Sequence, residues 1–370
     1  MSDRVVVLAG PGRVELRTEE AQPPREGTFR VETVYSGVST GTELSYVKGT
    51  NPHLRGGWDP ELGLFRPGVA ATPYPVTRLG YMEVGRVVAS ATPAVAEGLL
   101  LAMAYGHRTG YLADPLVDRF VPLPDDLDPL LGVYVAHLGP TCANGLLHAA
   151  ADLYGPNARE LGDGVRGRRV AVTGAGVVGL LTALFARAHG AASTVLLDPT
   201  PRRREVAAAL GLTALDPQEQ DVALLLKSAW AHGKGDRGAD VVFQCRGQAG
   251  ALQLGLRLLR PQGTVVDLAF YQSGAGDLRL GEEFHHNGLT VRCAQVGRVP
   301  RELAASWDRE RLSLETIGLL RLYADILRRH VVSAVVPFDE APRLLTDLAQ
   351  RRRDETQVIF AGDRADEWSG

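Results

Sequence analysis

Between residues 169 and 187 a short β-branched, apolar run, Val170-Ala-Val-Thr173, leads into Gly174-Ala-Gly-Val-Val-Gly179 and then into an apolar segment with helical spacing. Few folds accept that order. Gly174 permits a tight turn off a strand, Gly176 removes a Cβ so that a ligand can approach the backbone, and Gly179 lets the new helix lie close on the strand. The free N–H groups where the helix opens, around Val177 and Val178, then face phosphates. A second strand, Ser193-Thr-Val-Leu-Leu, ends in Asp198, 24 residues past Gly174, where a ribose-binding carboxylate belongs. The stretch predicts a dinucleotide site in a doubly wound α/β domain. The carboxylate favours NAD over NADP, with Arg202 and Arg203 close enough to soften its repulsion of a 2′-phosphate.

A chain of 370 residues at 45% hydrophobic content has room for two cores. A net charge of −3 calls for neither nucleic acid nor an anionic membrane surface. Arg202-Arg-Arg204 and Arg351-Arg-Arg353 read as solvated helix faces. The three cysteines, Cys142, Cys245 and Cys293, are too few and too scattered for a disulfide framework or a four-cysteine zinc site. No apolar leader opens the sequence, and the uncharged span 170–186 is better explained by its glycines than by a bilayer, so the expectation is a cytoplasmic protein without membrane contact.

Residues 1–135 read as β-rich. Strands are expected at 4–8 and 14–17 around Gly10-Pro-Gly12, and at 28–35, 80–88, 99–105 and 118–123, with a turn over 36–43. Residues 49–79, rich in Gly, Pro and single aromatics, read as a long loop of the kind that shapes a pocket. Residues 136–296 alternate: helix 141–154, the fingerprint, helix 202–210, strand 238–245, helix 250–259, strand 264–270 and a last strand at 289–295, an apolar edge able to pair with a second copy. Residues 297–370 hold helix 315–329, strand 331–338, helix 340–351 and strand 357–361. They read as a tail returning to complete the first domain, with 363–370 polar and loose.

The β-rich start, the mid-chain fingerprint and the returning tail together resemble the medium-chain dehydrogenase/reductase superfamily, alcohol-dehydrogenase-like, over nearly the whole chain. The carrying pieces are Gly37-Val-Ser-Thr-Gly-Thr-Glu43, Gly80-Tyr-Met-Glu-Val-Gly85, Thr141 with its helix, and the fingerprint. The nearest branch includes bacteriochlorophyllide dehydrogenases and oxidoreductases of secondary metabolism. The resemblance implies a Rossmann domain, a GroES-like β-barrel-type catalytic domain, Thr141 at the cofactor, and a homodimer or homotetramer. It also exposes departures. Where zinc-dependent members carry a cysteine and a histidine ligand, this chain has Thr40 and Tyr81, and the third ligand position falls at or beside His137. Thr and neutral Tyr are poor zinc ligands, so the expectation is no metal. The counter-reading gathers His137, Glu43 and His107 or His285 into a new metal site.

Hydride transfer needs a donor or acceptor for the proton of the reacting oxygen. Without a Lewis acid, the candidates are His137, Tyr81, Thr40, Thr42 and Glu43. Each has a plainer alternative: His137 as a core histidine, Tyr81 filling the volume of a lost metal, Glu43 bracing its loop, and the threonines bonding their own backbone. His107 reads as a surface residue at the start of a hairpin, and His285-His-Asn287 as a polar loop. The expected function is zinc-independent, NAD(P)-dependent oxidation or reduction at a secondary alcohol or ketone of a small cyclic or polyhydroxylated metabolite. The alternatives are an enone (C=C) reductase and a non-catalytic NAD(P)H-binding protein.

Overall fold

The first strand signal becomes a hairpin, in which β1 (Ser2–Gly10) pairs antiparallel with β2 (Arg13–Glu20) and Gly12 supplies the turn at φ +68°. The chain then forms β3 (Phe29–Gly37), α1 (Thr40–Val47), β4 (Gly56–Asp59), β5 (Leu64–Pro67), β6 (Glu83–Ser90), β7 (Leu100–Met103), β8 (Gly110–Ala113) and β9 (Phe120–Pro122). Next come α2 (Leu138–Tyr154), β10 (Arg169–Thr173), α3 (Val177–Ala188), β11 (Ser193–Leu197), α4 (Pro201–Ala209), β12 (Thr213–Leu215) and α5 (Val222–Ala229). Two short strands, β13 (Ala231–Gly233) and β14 (Asp236–Arg237), precede β15 (Ala239–Gln244), α6 (Ala249–Leu258), β16 (Leu259–Asp267), β17 (Thr290–Cys293) and α7 (Arg309–Ile326). β18 (Val332–Pro337), α8 (Ala341–Ala349) and β19 (Gln357–Ala361) end the chain. This is a computed structural model that describes residues 2–368, apart from the side chains of Asp366 and Trp368; the last two residues of the expected loose tail lie outside the described residues.

The chain divides into two units, residues 1–137 with 332–370, and residues 138–331. The first is built on a seven-stranded sheet in the order β18-β19-β3-β6-β7-β9, with β8 also on β3. Its larger core joins Val6 and Leu8 of β1, Leu44 and Val47 of α1, Leu344 and Leu345 of α8, and Phe360 of β19. The returning tail therefore completes one side of this unit's sheet: β18 and β19 end its order, and Ile359 pairs with Gly37. The second unit is a six-stranded, all-parallel sheet in the order β12-β11-β10-β15-β16-β17. From β10 the chain winds first one way, through β11 to β12, and then the other, through β15 to β17. Ligands of such sheets bind outside the strands' carboxyl ends at this reversal, which is where the glycine fingerprint stands.

Four expectations need correcting. Residues 36–43 do not simply turn, because α1 starts at Thr40. Thr-Gly-Thr is a poor helix former, but Leu44 and Val47 are buried and the Glu43 carboxylate reaches back to accept the Ser39 N–H at 2.8 Å, so tertiary contacts decide. The 49–79 segment is not plain loop, since β4 and β5 form a hairpin in it. The helix expected at 315–329 runs instead from Arg309 to Ile326. It also belongs to the second unit rather than to the tail. It packs on α2 so closely that a Cβ at Gly139 would stand 2.1 Å from Thr316 Cγ2. Among the described residues no helix is long and apolar enough to cross a membrane.

Candidate functional site

The fingerprint glycines answer to three different demands. Gly174 leaves β10 at φ +94°, a conformation L side chains rarely adopt. A Cβ on Gly179 would lie 1.8 Å from the Gly174 carbonyl oxygen, so close packing forbids one. Gly176 is different: its backbone is extended (φ −76°, ψ −179°) and a Cβ there would meet no protein atom within 4 Å. Neither backbone conformation nor internal packing asks for glycine at 176. It stands where α3 begins and where Gly176, Val177 and Val178 are half-exposed, so the first amides of the helix are open to a ligand.

Asp198, just past β11, is fully buried. Its Oδ2 accepts the Ala175 N–H at 2.8 Å and its Oδ1 the Thr200 N–H at 2.8 Å, and Arg203 Nη1 lies 3.7 Å from Oδ2. The carboxylate thus pins the fingerprint turn to the next strand and is neutralised by Arg203. That is a more structural part than the outward-facing ribose contact expected of it. Arg204 donates to the Asp198 carbonyl at 2.9 Å and pairs with Asp216 at 2.7 Å. Thr141 sits half-buried in the first turn of α2.

A polar group at the strand ends went unread in the sequence. The Thr173 hydroxyl donates to Gln244 Oε1, Gln244 Nε2 donates to the Tyr271 hydroxyl at 3.1 Å, and Tyr271 donates to Asp267 Oδ2 at 2.8 Å. Burial pushes the Asp267 carboxyl up from its ordinary range. The signal was available: Gln244 and Asp267 are polar strand ends that follow the apolar runs Val241-Val-Phe243 and Val265-Val266, and in a parallel sheet those positions face the ligand end.

In the first unit two of the three replaced ligand positions, Tyr81 and His137, come together. The Tyr81 hydroxyl bonds the Ser39 hydroxyl and donates to Thr42 Oγ1 at 3.3 Å. The Tyr81 and His137 rings lie 4.4 Å apart at 49°. Burial raises the Tyr81 hydroxyl above its usual range, an effect opposed by the bonds from Ser39 and Thr42. None of these bonds runs through Thr40, which opens α1. Ser39, which precedes the helix, was missed because it reads as turn. Glu43 and His107 are both 1% exposed, which corrects the surface assignment of His107. His107 Nε2 meets Glu43 Oε2 at 2.7 Å, and its Nδ1 meets Ser36 Oγ at 2.7 Å.

A zinc ion fits this donor set badly. Glu43 has one oxygen on the Ser39 amide and the other on His107, Tyr81 and Thr42 are hydroxyls, and His285 is exposed on the other unit. Among the described residues no three His, Cys, Asp or Glu side chains stand close enough to share an ion. A further buried carboxyl, Glu83 of β6, accepts Tyr111 OH at 2.6 Å and Thr33 Oγ1 at 3.1 Å.

Compared with known proteins, residues 177–309 match the family of zinc-binding dehydrogenases. D-guloside 3-dehydrogenase of Escherichia coli (strain K12) is 30% identical over 174 residues, 47% of this chain and 48% of that one. L-galactonate-5-dehydrogenase of the same strain is 33% identical over 139 residues, 37% of this chain and 38% of that one. Each match spans less than half the relative's length. Among solved structures, a protein from Sinorhizobium meliloti 1021 assigned as a zinc-binding dehydrogenase and bound to NADP is 23% identical. It superposes over 98% of this chain and 99% of its own with a TM-score of 0.73. An alcohol dehydrogenase from Thermotoga maritima is 18% identical over 98% of this chain and 100% of its own, with a TM-score of 0.74.

Proposed function

We propose that this chain is a medium-chain dehydrogenase/reductase and acts, with a nicotinamide cofactor and without zinc, on a secondary alcohol or ketone; the family match over 177–309, the partial relatives and the shared fold support the reading. The substrate class is a sugar- or polyol-like metabolite, the class named for its relatives. The observation that carries the cofactor half is Gly176, a glycine that no protein atom and no backbone angle requires. When bound, the dinucleotide supplies or accepts hydride at its nicotinamide ring.

The chain's own residues do the rest. The amides around Gly176, Val177 and Val178 would hold the pyrophosphate, and Thr141 would lie on the nicotinamide side. Asp198, buried under the fingerprint turn, would shape the ribose end of the site without facing it, and the partly exposed Arg203 beside it would meet a 2′-phosphate. With Asp198 paired to Arg203, the repulsion that separates NAD from NADP is weakened, and the NADP carried by the Sinorhizobium structure supports the same reading. In the first unit, the Tyr81 hydroxyl, backed by Ser39, Thr42 and the His137 ring, would give a proton to or take one from the reacting oxygen.

Two variants test the two halves. Gly176→Val is expected to fold like the parent and to bind NADH at least about tenfold more weakly in a fluorescence titration, because a branched side chain would occupy the ligand's approach. Unchanged affinity would remove the cofactor argument. Tyr81→Phe is expected to lower kcat on an active sugar alcohol by roughly 10²-fold while cofactor affinity holds. Metal analysis of chelator-washed, active protein that finds stoichiometric zinc would end the metal-free half.

A further inference from the structure

We propose that His107 is a positioning residue for the Tyr81 hydroxyl. Two separate routes lead from one to the other, both inside the first unit. The first is a line of hydrogen bonds: His107 Nε2 meets Glu43 Oε2 at 2.7 Å, Glu43 Oε1 accepts the Ser39 N–H at 2.8 Å, and the Ser39 hydroxyl bonds Tyr81. The second is contact. Gly80, next to Tyr81, turns at φ +99° with its face against the His107 ring, and a Cβ there would stand 2.9 Å from ring atoms Cε1 and Nε2. The glycine before Tyr81 is thus the residue that lets the imidazole lie where it does.

The imidazole itself has little freedom. His107 donates its backbone N–H to the Leu79 carbonyl at 2.6 Å and accepts from Val6 at 3.0 Å. Its Nδ1 meets Ser36 Oγ at 2.7 Å, and Phe360 stands edge-on to the ring at 5.0 Å. A carboxylate buried like Glu43 needs donors for both oxygens, and the Ser39 amide and His107 supply them. Without the His107 donor, Glu43 has reason to turn away, and Ser39 loses the brace that aims its hydroxyl. The consequence for turnover rests on the function proposed above; the linkage does not.

The test reads Tyr81 directly. In protein labelled with 3-fluorotyrosine, the Tyr81 ¹⁹F resonance is assigned as the one missing from Tyr81→Phe. Its shift is then followed in Ser39→Ala, in His107→Phe, which keeps a ring against Gly80, and in the double variant. If His107 acts through Ser39, the singles move the resonance alike and the double moves it no further. His107→Gln, which returns a donor to Glu43, is expected to restore most of the shift. Should His107→Phe fail to fold, Glu43→Leu removes the middle link and is read in the same way. An unmoved resonance in the folded variant, or additive shifts in the double, overturns the proposal. Coupled shifts beside an undiminished kcat in Tyr81→Phe would keep the linkage and reject the catalytic part assigned to Tyr81.

Discussion

Glu83 shows how a single buried group leaves its mark on pH behaviour. Burial pushes its carboxyl up to about 8, against the opposing pull of the Tyr111 and Thr33 hydroxyls. Between its ordinary value of 4.5 and about 8, the folded chain keeps a proton that the unfolded chain gives up. Stability from this group therefore declines as pH rises through that window. Glu83→Gln, which keeps the shape and carries no charge, is expected to be more stable than the parent at about pH 8.5 by roughly 1–3 kcal/mol, and so to melt at higher temperature, and to lose that advantage near pH 5. Melting curves across the range check it, and a gap that does not vary with pH would show that Glu83 is not the group responsible. Residues of this kind were only half legible in the sequence. The motif holding Glu83 was recognised, yet nothing in it announced a carboxyl under a tyrosine and a threonine from other strands. His107 was misplaced for the same reason, since its neighbours Glu43, Ser36 and Phe360 are far away in sequence.

At the scale of elements, α2 is a brace as much as a core helix. Asn144, His148 and Asp152 recur at four-residue spacing on one face. Asn144 Nδ2 donates to the Gln295 and Arg298 carbonyls at 3.1 and 3.2 Å, and His148 Nε2 bonds the Arg298 carbonyl at 3.0 Å. Arg292 donates to His148 Nδ1 at 3.0 Å and to Glu302 at 2.9 Å, and Thr264 donates to Asp152 at 2.6 Å. The stripe ties β16, β17 and the turn after β17 to one helix. Since Nδ1 of His148 accepts, the ring is neutral, and burial followed by the Arg292 charge lowers its pKa against the pull of the Arg298 carbonyl. A lowered histidine contributes fully above its unfolded value near 6.5 and loses its contribution as pH falls through the folded one. The parent is therefore expected to lose more stability between about pH 7.5 and 5.5 than His148→Gln does, with faster amide exchange at 294–298 in the parent at the lower pH. Equal slopes for the two proteins would discharge His148 from this part. Elements with strong periodicity, such as β10, α3, β15 and β19, were readable nearly to their ends, because both their propensity and their burial point the same way. Helix α1 was not, because its first turn is Thr-Gly-Thr and its stability comes from residues packed on it by the tail.

For the whole molecule, the division into a β-rich unit closed by the tail and an inserted nucleotide-type unit could be inferred from where the fingerprint stands. The ownership of α7 could not, since it rests on packing against α2 and α3, with Gly139 close against Thr316. The remaining question at this scale is association. In the second unit's sheet, β17 is the last strand, and Thr290, Val291 and Cys293 on it are exposed. Its one charge, Arg292, is turned to His148 and Glu302 and does not guard the edge, and the strand contains neither proline nor a bulge. An unguarded edge offers free N–H and C=O groups to another strand, and two copies related by a two-fold axis satisfy both edges with one contact. We expect a homodimer formed by antiparallel pairing of β17 with its equivalent. Light scattering of the parent should give twice the 39.7 kDa chain mass. Val291→Lys places a charge on each side of that pairing and is expected to weaken the dimer at least about tenfold while each copy still binds NADH. A monomeric parent at micromolar concentration would exclude this pairing, and a dimer untouched by Val291→Lys would move the interface elsewhere on the molecule.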